Sequence, residues 1–189
     1  MKNELKKRPY WYIKRLLDII LSIILIVITL PIMLITVIVL LINLGFPIFN
    51  QRRYREGLYK KNFLMFKFRT KLIDSDNLPR KDRYTKVSGF IDKLKFNELP
   101  QLFNVLFGQM SFIGPRPFIP DEKLPAGKIN DKRYMVRPGL TNLSYVSKGN
   151  ELTHKQKLAY DIEYFDNFGF KQDLKIFFKT PICIIKRLK

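Results

Sequence analysis

One cysteine, Cys183, and one histidine, His154, are all that the chain has of either residue. A lone thiol excludes an internal disulfide, and so few sulfur and imidazole ligands argue against a zinc site. Both fit a reducing, cytoplasmic setting. Acidic residues are scarce as well: 16 Asp and Glu stand against 35 Lys and Arg, a net charge of +19. There is no internal repeat and no low-complexity segment. A lysine-rich genomic background accounts for part of the basic excess. The remainder suits a partner rich in phosphate, whether nucleic acid, anionic lipid headgroups or a phosphorylated substrate. No nucleic-acid-binding motif is present, so nucleic acid is not an expected partner.

The most telling absence is local. From Ile19 to Leu44 there is no Asp, Glu, Lys or Arg. As a straight helix this stretch would be roughly 39 Å long at about 1.5 Å per residue, whereas a bilayer core of about 30 Å needs only about 20 apolar residues. It is too long, and begins too late, for a signal-peptide core. Pro31 sits at its centre, where a missing N–H and a steric clash predict a kink. Thr29 is the candidate to satisfy the backbone groups thereby freed. Two arrangements follow, a kinked single span or a re-entrant hairpin. Basic residues lie on both flanks: Lys6, Lys7, Arg8, Lys14 and Arg15 before, and Arg52, Arg53 and Arg55 after. Because positive flanks stay in the cytoplasm, the charge favours re-entry.

Residues 1–49 therefore read as an interfacial segment plus a membrane helix, and 50–189 as one cytoplasmic-face domain of about 140 residues. Tyr10, Trp11 and Tyr12 are aromatics of the kind found at a membrane–water interface. Pro47–Gln51 and Phe63–Phe68 read as strands of a β-hairpin turning near Glu56-Gly57. Residues 72–90 read as a loop or short exposed helix. Leu99, Leu102, Phe103 and Leu106 recur at helical spacing, with Asn97 where an N-cap belongs, Glu98 in the first turn and Gly108 as terminator. Residues 121–136 suggest a loop and short polar helix, 136–149 an extended segment, and 153–166 a helix. From Lys171 onward, lysines recur every four residues opposite Leu174, Phe177 and Phe178. That pattern fits a helix lying in the interface plane or one packed on the core. The fold class is α+β: a re-entrant helix kinked at Pro31 and a small mixed helical and β-hairpin domain with interfacial amphipathic helices.

The ordered series Lys67-Phe68-Arg69-Thr70, Glu98-Leu99-Pro100-Gln101-Leu102, Gly114-Pro115-Arg116-Pro117, Arg137-Pro138-Gly139 and Asp173-Leu174-Lys175, behind an apolar stretch with a central proline, resembles the small monotopic phosphoglycosyl transferases of the bacterial sugar transferase family. The likeness runs from about residue 10 to 188. It implies transfer of a sugar-1-phosphate from a nucleoside diphosphate sugar, usually UDP-linked, to polyprenol phosphate. That reaction initiates glycoconjugate assembly at the cytoplasmic face of the bacterial inner membrane. It also implies Mg²⁺, with Glu98 as its ligand, while the basic charge beside the apolar anchor points to anionic lipids as neighbours. Lys67, Arg69, Arg116, Arg137 and Asp173 become the candidate substrate- and phosphate-binding residues. The chemistry agrees with the composition, since phosphoryl transfer relies on cations and positioning and guanidinium forks suit phosphate.

This chain departs from the family at the centre of the site. The family carries an Asp-Glu pair whose Asp attacks the donor; here the pair is Asn97-Glu98. An amide is no nucleophile. Glu98 could attack instead, or bind Mg²⁺ while the lipid phosphate attacks directly, or the chain could bind nucleotide sugar or lipid without turnover. Leu30 before the central proline, Gln109, and Asn142-Leu143-Ser144-Tyr145 are lesser departures. Asp161 and Asp173 stand at matching acidic positions. The sugar, the polyprenol and the oligomeric state are not legible in the chain.

Overall fold

The structure, a computed structural model, describes residues 9–50, 54–120, 128–147 and 152–188. The expected flanking cations Lys6, Lys7, Arg8, Arg52 and Arg53 lie outside these residues.

Helix α1 runs from Tyr10 to Leu44 without interruption, through Pro31. Thr29 Oγ1 donates to the Leu25 carbonyl at 2.7 Å, so it does not serve Val27, whose carbonyl is the one a proline at 31 would leave open. Gly45 ends the helix in a left-handed conformation, φ 67°, its N–H reaching the Leu41 carbonyl at 2.9 Å. Only one face of α1 is covered. Trp11, Met33 and Leu40 are buried, whereas Ile13, Ile20, Val27, Leu34, Ile38 and Ile42 are exposed. The expectation of three interfacial aromatics is corrected here. Trp11 is in the core against Phe168, Tyr10 packs on the same ring, and only Tyr12 is exposed.

Strands β1 (Tyr54–Glu56) and β2 (Asn62–Leu64) pair antiparallel, and Phe49 bridges Phe68 farther out. The hairpin exists and turns after Gly57, but its ladder lies closer to the turn than the hydrophobic pattern suggested. Helix α2 (Lys86–Lys93) opens on a capping box in which Thr85 and Ser88 exchange backbone and side-chain hydrogen bonds. Helix α3 (Gln101–Leu106) starts after Pro100.

Strands β3 (Ser111–Ile113) and β4 (Gly139–Thr141) form a two-stranded parallel pair. A Cβ on Gly114 would sit 2.2 Å from the Arg137 carbonyl, and one on Gly139 would sit 2.2 Å from the Gly114 nitrogen. The Gly-Pro-Arg-Pro and Arg-Pro-Gly motifs thus cross at backbone distance, which only glycine permits. Over the described part of 136–149, residues 136–147, the extended reading holds at β4 alone. Asn142 Oδ1 accepts the Tyr145 N–H at 2.8 Å and turns the chain into helix α4 (Leu143–Ser147). Helix α5 (His154–Asp166) follows a Thr153 and Gln156 capping box, and α6 spans Phe170–Leu188.

Three apolar clusters hold these elements. Trp11, Ile113, Val136, Tyr164, Phe168 and Ile176 join the start of α1 to β3, α5 and α6. Met33, Leu40, Phe68, Ile91 and Leu102 join its far half to α2 and α3. Phe63, Met65, Val105 and Met110 seat the hairpin, and Phe112 touches all three groups. Each fully buried side chain of this kind contributes roughly 1.5–3 kcal/mol. The domain therefore grips α1 near both ends.

Candidate active site

The polar site forms where the segment after β2, residues 65–70, meets the turn before α3. The Phe68 N–H donates to the Asn97 carbonyl at 2.9 Å, locking the two segments together. Asn104, fully buried, fixes this segment where it leaves β2. Its Oδ1 takes the Phe66 N–H at 2.9 Å, and its Nδ2 gives to the Leu64 carbonyl at 2.8 Å. Lys67 therefore leaves a segment held by hydrogen bonds on either side of it. Lys95 adopts φ 66°, and the 3₁₀ turn Phe96–Glu98 follows.

That turn corrects the expected helix start. Asn97 is not an N-cap. It lies inside the 3₁₀ turn, and α3 begins behind Pro100 with no side-chain cap. The left-handed Lys95 turns the 97 side chain inward instead. Asn97 is completely buried, with Nδ2 donating to Asp92 Oδ1 at 2.6 Å and to Thr70 Oγ1 at 3.3 Å. Thr70 Oγ1 also donates to Asp92 Oδ1, at 3.2 Å.

Glu98 faces outward, with 36 % of its side chain exposed. Its Oε1 receives Lys67 Nζ at 3.0 Å and Lys95 Nζ at 3.4 Å. Burial pushes the Glu98 carboxyl up, but the Lys67 and Lys95 cations outweigh it and hold the carboxyl below its ordinary range. Lys67 Nζ also lies 4.0 Å from Asp92 Oδ1, so one ammonium serves two carboxylates. Among the described residues no group of three or more His, Cys, Asp or Glu could hold a metal. One or two carboxylates completed by substrate phosphates remain the usual way to hold Mg²⁺, and among the described residues every contact of Glu98 goes to Oε1.

The other expected site residues lie apart from this cluster. Arg69 is buried and donates to the carbonyls of Pro47, Lys71, Leu44 and Gly45. Its guanidinium closes the end of α1 rather than facing a phosphate. Asp173 is buried under Tyr10, Lys14 and Tyr164, whose hydroxyl donates to it at 2.7 Å. It ties α6 to α1 and α5 and has no contact with Lys67 or Glu98. Arg137 donates from Nε to the Gly108 carbonyl at 2.9 Å and lies over the Trp11 ring. Burial, with Arg15 beside it, pulls the Arg137 pKa down.

Arg116 is exposed and lines a basic cleft with Arg55, His154, Lys157 and Phe118. Its backbone is pinned from both sides: its N–H faces Asp161 at 3.4 Å, and its carbonyl accepts from Arg133. Arg133 and Asp161 form a fully buried ion pair at 3.2 Å. Burial raises the Asp161 carboxyl to about 6, against the opposing pull of Arg133.

Sequence reasoning missed Asp92 and left Thr70 without a role. Asp92 ends α2 and precedes Asn97 by too irregular a path for helical spacing to connect them.

The model of the family described as bacterial sugar transferase matches residues 9–187. A sugar transferase of Bacillus subtilis called EpsL, uncharacterized by name, is 37% identical over 168 residues, covering 87% of this chain and 83% of that protein. The undecaprenyl-phosphate galactose phosphotransferase of Salmonella typhimurium is 32% identical over 208 residues, 99% of this chain but 43% of its own length. The UDP-glucose:undecaprenyl-phosphate glucose-1-phosphate transferase of Xanthomonas campestris is 32% identical over 154 residues, 74% of this chain and 32% of that protein. The chain thus spans most of the first relative and less than half of the other two.

Proposed function

Because this chain belongs to the bacterial sugar transferase family, we propose that it transfers a sugar-1-phosphate from a UDP-linked sugar to polyprenol phosphate, at the cytoplasmic face of the bacterial inner membrane. The observation that carries the reading is the position of the Lys67–Glu98 pair. Glu98 closes a turn whose Phe96, with the following Leu99, packs into the same apolar cluster as Met33 and Leu40 of α1. Cation and carboxylate are therefore held beside a helix whose opposite face is a continuous apolar surface.

Attachment to one leaflet, rather than a span, is supported by how the domain holds that helix. Arg15 donates to the Val105 and Leu106 carbonyls, both at 2.7 Å. At the other end, Arg69 donates to the Leu44 carbonyl at 2.8 Å. The two ends of a spanning helix would lie on opposite sides of the bilayer, so one domain could not hold both. The exposed face of α1 and the exposed Leu174, Phe177 and Phe178 of α6 are the candidate lipid contacts. Re-entry about Pro31 remains part of this proposal, with anionic headgroups meeting the basic flanks.

In this reading Lys67 and Lys95 neutralise donor phosphate and orient Glu98. Arg116 takes phosphate or the nucleotide from its cleft. Glu98 is the residue to hold Mg²⁺, which would offset the charge that builds on the phosphoryl oxygens. A second reading, binding without turnover, is favoured by one observation: position 97 carries an amide.

The test uses the full chain in nanodiscs with Mg²⁺, undecaprenyl phosphate and a panel of UDP-glucose, UDP-galactose and UDP-N-acetylglucosamine. The expected result is UMP release dependent on one donor. Donor binding without UMP would support the second reading, and neither binding nor release would sink both.

A further inference from the structure

We propose that Asp92 is the nucleophilic carboxylate of this chain, taking the place of the one missing at position 97; the inference rests on the transferase reading above. Among the described residues every polar contact of the Asp92 side chain goes to Oδ1: Asn97 Nδ2 at 2.6 Å, Thr70 Oγ1 at 3.2 Å and Lys67 Nζ at 4.0 Å. Three groups on two segments thus fix one oxygen and the side-chain torsion. The other oxygen, Oδ2, has no partner among the described residues, and the side chain keeps 22 % of its surface exposed. A carboxylate anchored by one oxygen and bare at the other is the preorganised form of an oxygen nucleophile.

Its neighbours fit the role. Lys67 lies between Asp92 and Glu98, so a phosphate drawn to that ammonium meets both carboxylates. Asn97 is the donor that holds Asp92, which gives the amide at 97 a purpose. A carboxylate there would face Asp92 at hydrogen-bond distance in a fully buried position, where two like charges cannot both ionise. The Asn97 Oδ1 is buried and has no hydrogen-bond partner among the described residues. The Asp-Glu pair of neighbouring residues becomes a pair in space, from the end of α2 and from the 3₁₀ turn.

The chemistry balances without a further reagent. Asp92 Oδ2 attacks the phosphorus that bears the sugar. An O–P bond forms, the bond to the bridging oxygen breaks, and UMP leaves with that electron pair. An oxygen of polyprenol phosphate then attacks the same phosphorus. The Asp92 carboxylate departs with the bonding pair, leaving the sugar on a polyprenyl diphosphate.

Trypsin separates the two candidates, because Lys93 and Lys95 lie between them: Asp92 falls in peptide 87–93 and Glu98 in the peptide that begins at Phe96. The full chain in detergent is mixed with Mg²⁺ and the UDP-sugar panel without lipid, reduced with borohydride to convert any acyl phosphate to a stable alcohol, digested and mapped. The expected result is reduction at Asp92. Asp92→Asn, which keeps an acceptor for Asn97, should lose the adduct and at least about 10³-fold of UMP release, with its melting temperature checked alongside. An adduct on Glu98, or UMP release that needs lipid and leaves no adduct, overturns Asp92 while the transferase reading stands. No UMP under any condition overturns both. The wild-type map requires no variant to fold.

Discussion

Arg69 Nη2 donates to the Leu44 carbonyl at 2.8 Å and to the Gly45 carbonyl at 2.7 Å, so a residue drawn from the Lys67–Thr70 motif closes the end of the apolar helix. The last carbonyls of a helix have no partner within it, and a hydrogen bond made by a charged donor such as the buried Arg69 contributes about 1.5–3 kcal/mol. Arg69→Ala should therefore destabilise the protein by roughly 2–4 kcal/mol. Denaturant unfolding in detergent checks this. A variant of unchanged stability but raised KM for donor would instead return Arg69 to phosphate binding.

The Lys67–Glu98 pair carries a pH signature. Lys67 and Lys95 hold the folded Glu98 carboxyl below its unfolded value, against the opposing effect of burial. Such a group lends stability above the unfolded pKa, about 4.3, and loses it as pH falls through the lower folded value. Lys67→Met should therefore be less stable than wild type at pH 7, and the gap should narrow on acidification below about pH 4. Chemical denaturation at several pH values reads the gap. If Glu98 must be ionised for turnover, the acid limb of kcat/KM should move to higher pH in the same variant.

Gly114 is expected to tolerate no side chain. Its Cβ would meet the Arg137 carbonyl at 2.2 Å and the Gly139 nitrogen at 3.0 Å, both backbone atoms that cannot rotate away. Gly114→Ala should cost about 3 kcal/mol or more, at the upper end for single substitutions. Soluble expression in detergent with a wild-type melting temperature would contradict this account of the motif.

Asp173 accepts from Tyr10, Lys14 and Tyr164 in a buried setting. Removing one partner of a buried ion pair typically costs 3–5 kcal/mol, so Asp173→Ala should destabilise on the order of that amount. Asp173→Asn should cost less, because its remaining oxygen still accepts. The readout that separates an anchor from a substrate ligand is limited proteolysis of the α1 start. The cleavage rate should rise in Asp173→Ala without donor present.

The two long apolar signals were legible because they are local. An unbroken run of uncharged residues must become a helix that hides its backbone, and lysines recurring every four residues opposite Leu and Phe mark an amphipathic helix. The helix expected over 153–166 is likewise present as α5, His154–Asp166. The linear chain could not say which basic motif residues face a substrate. A guanidinium binds a carbonyl as readily as a phosphate, and only the return of residues 67–70 past residue 44 made Arg69 a cap. Asn97 followed the same logic: a left-handed Lys95, which no propensity announces, turned a would-be cap into a buried donor.

By itself, then, the sequence determined a cationic domain joined to an apolar helix and the family motifs that set its chemistry, since charge and hydrophobicity belong to each residue wherever it lands. Tertiary structure alone decided that the domain holds both ends of that helix, and that Asp92, Asn97, Lys67 and Glu98 share one cluster. Those contacts join separate turns and strands, and their geometry depends on backbone conformations that local residue preference leaves open.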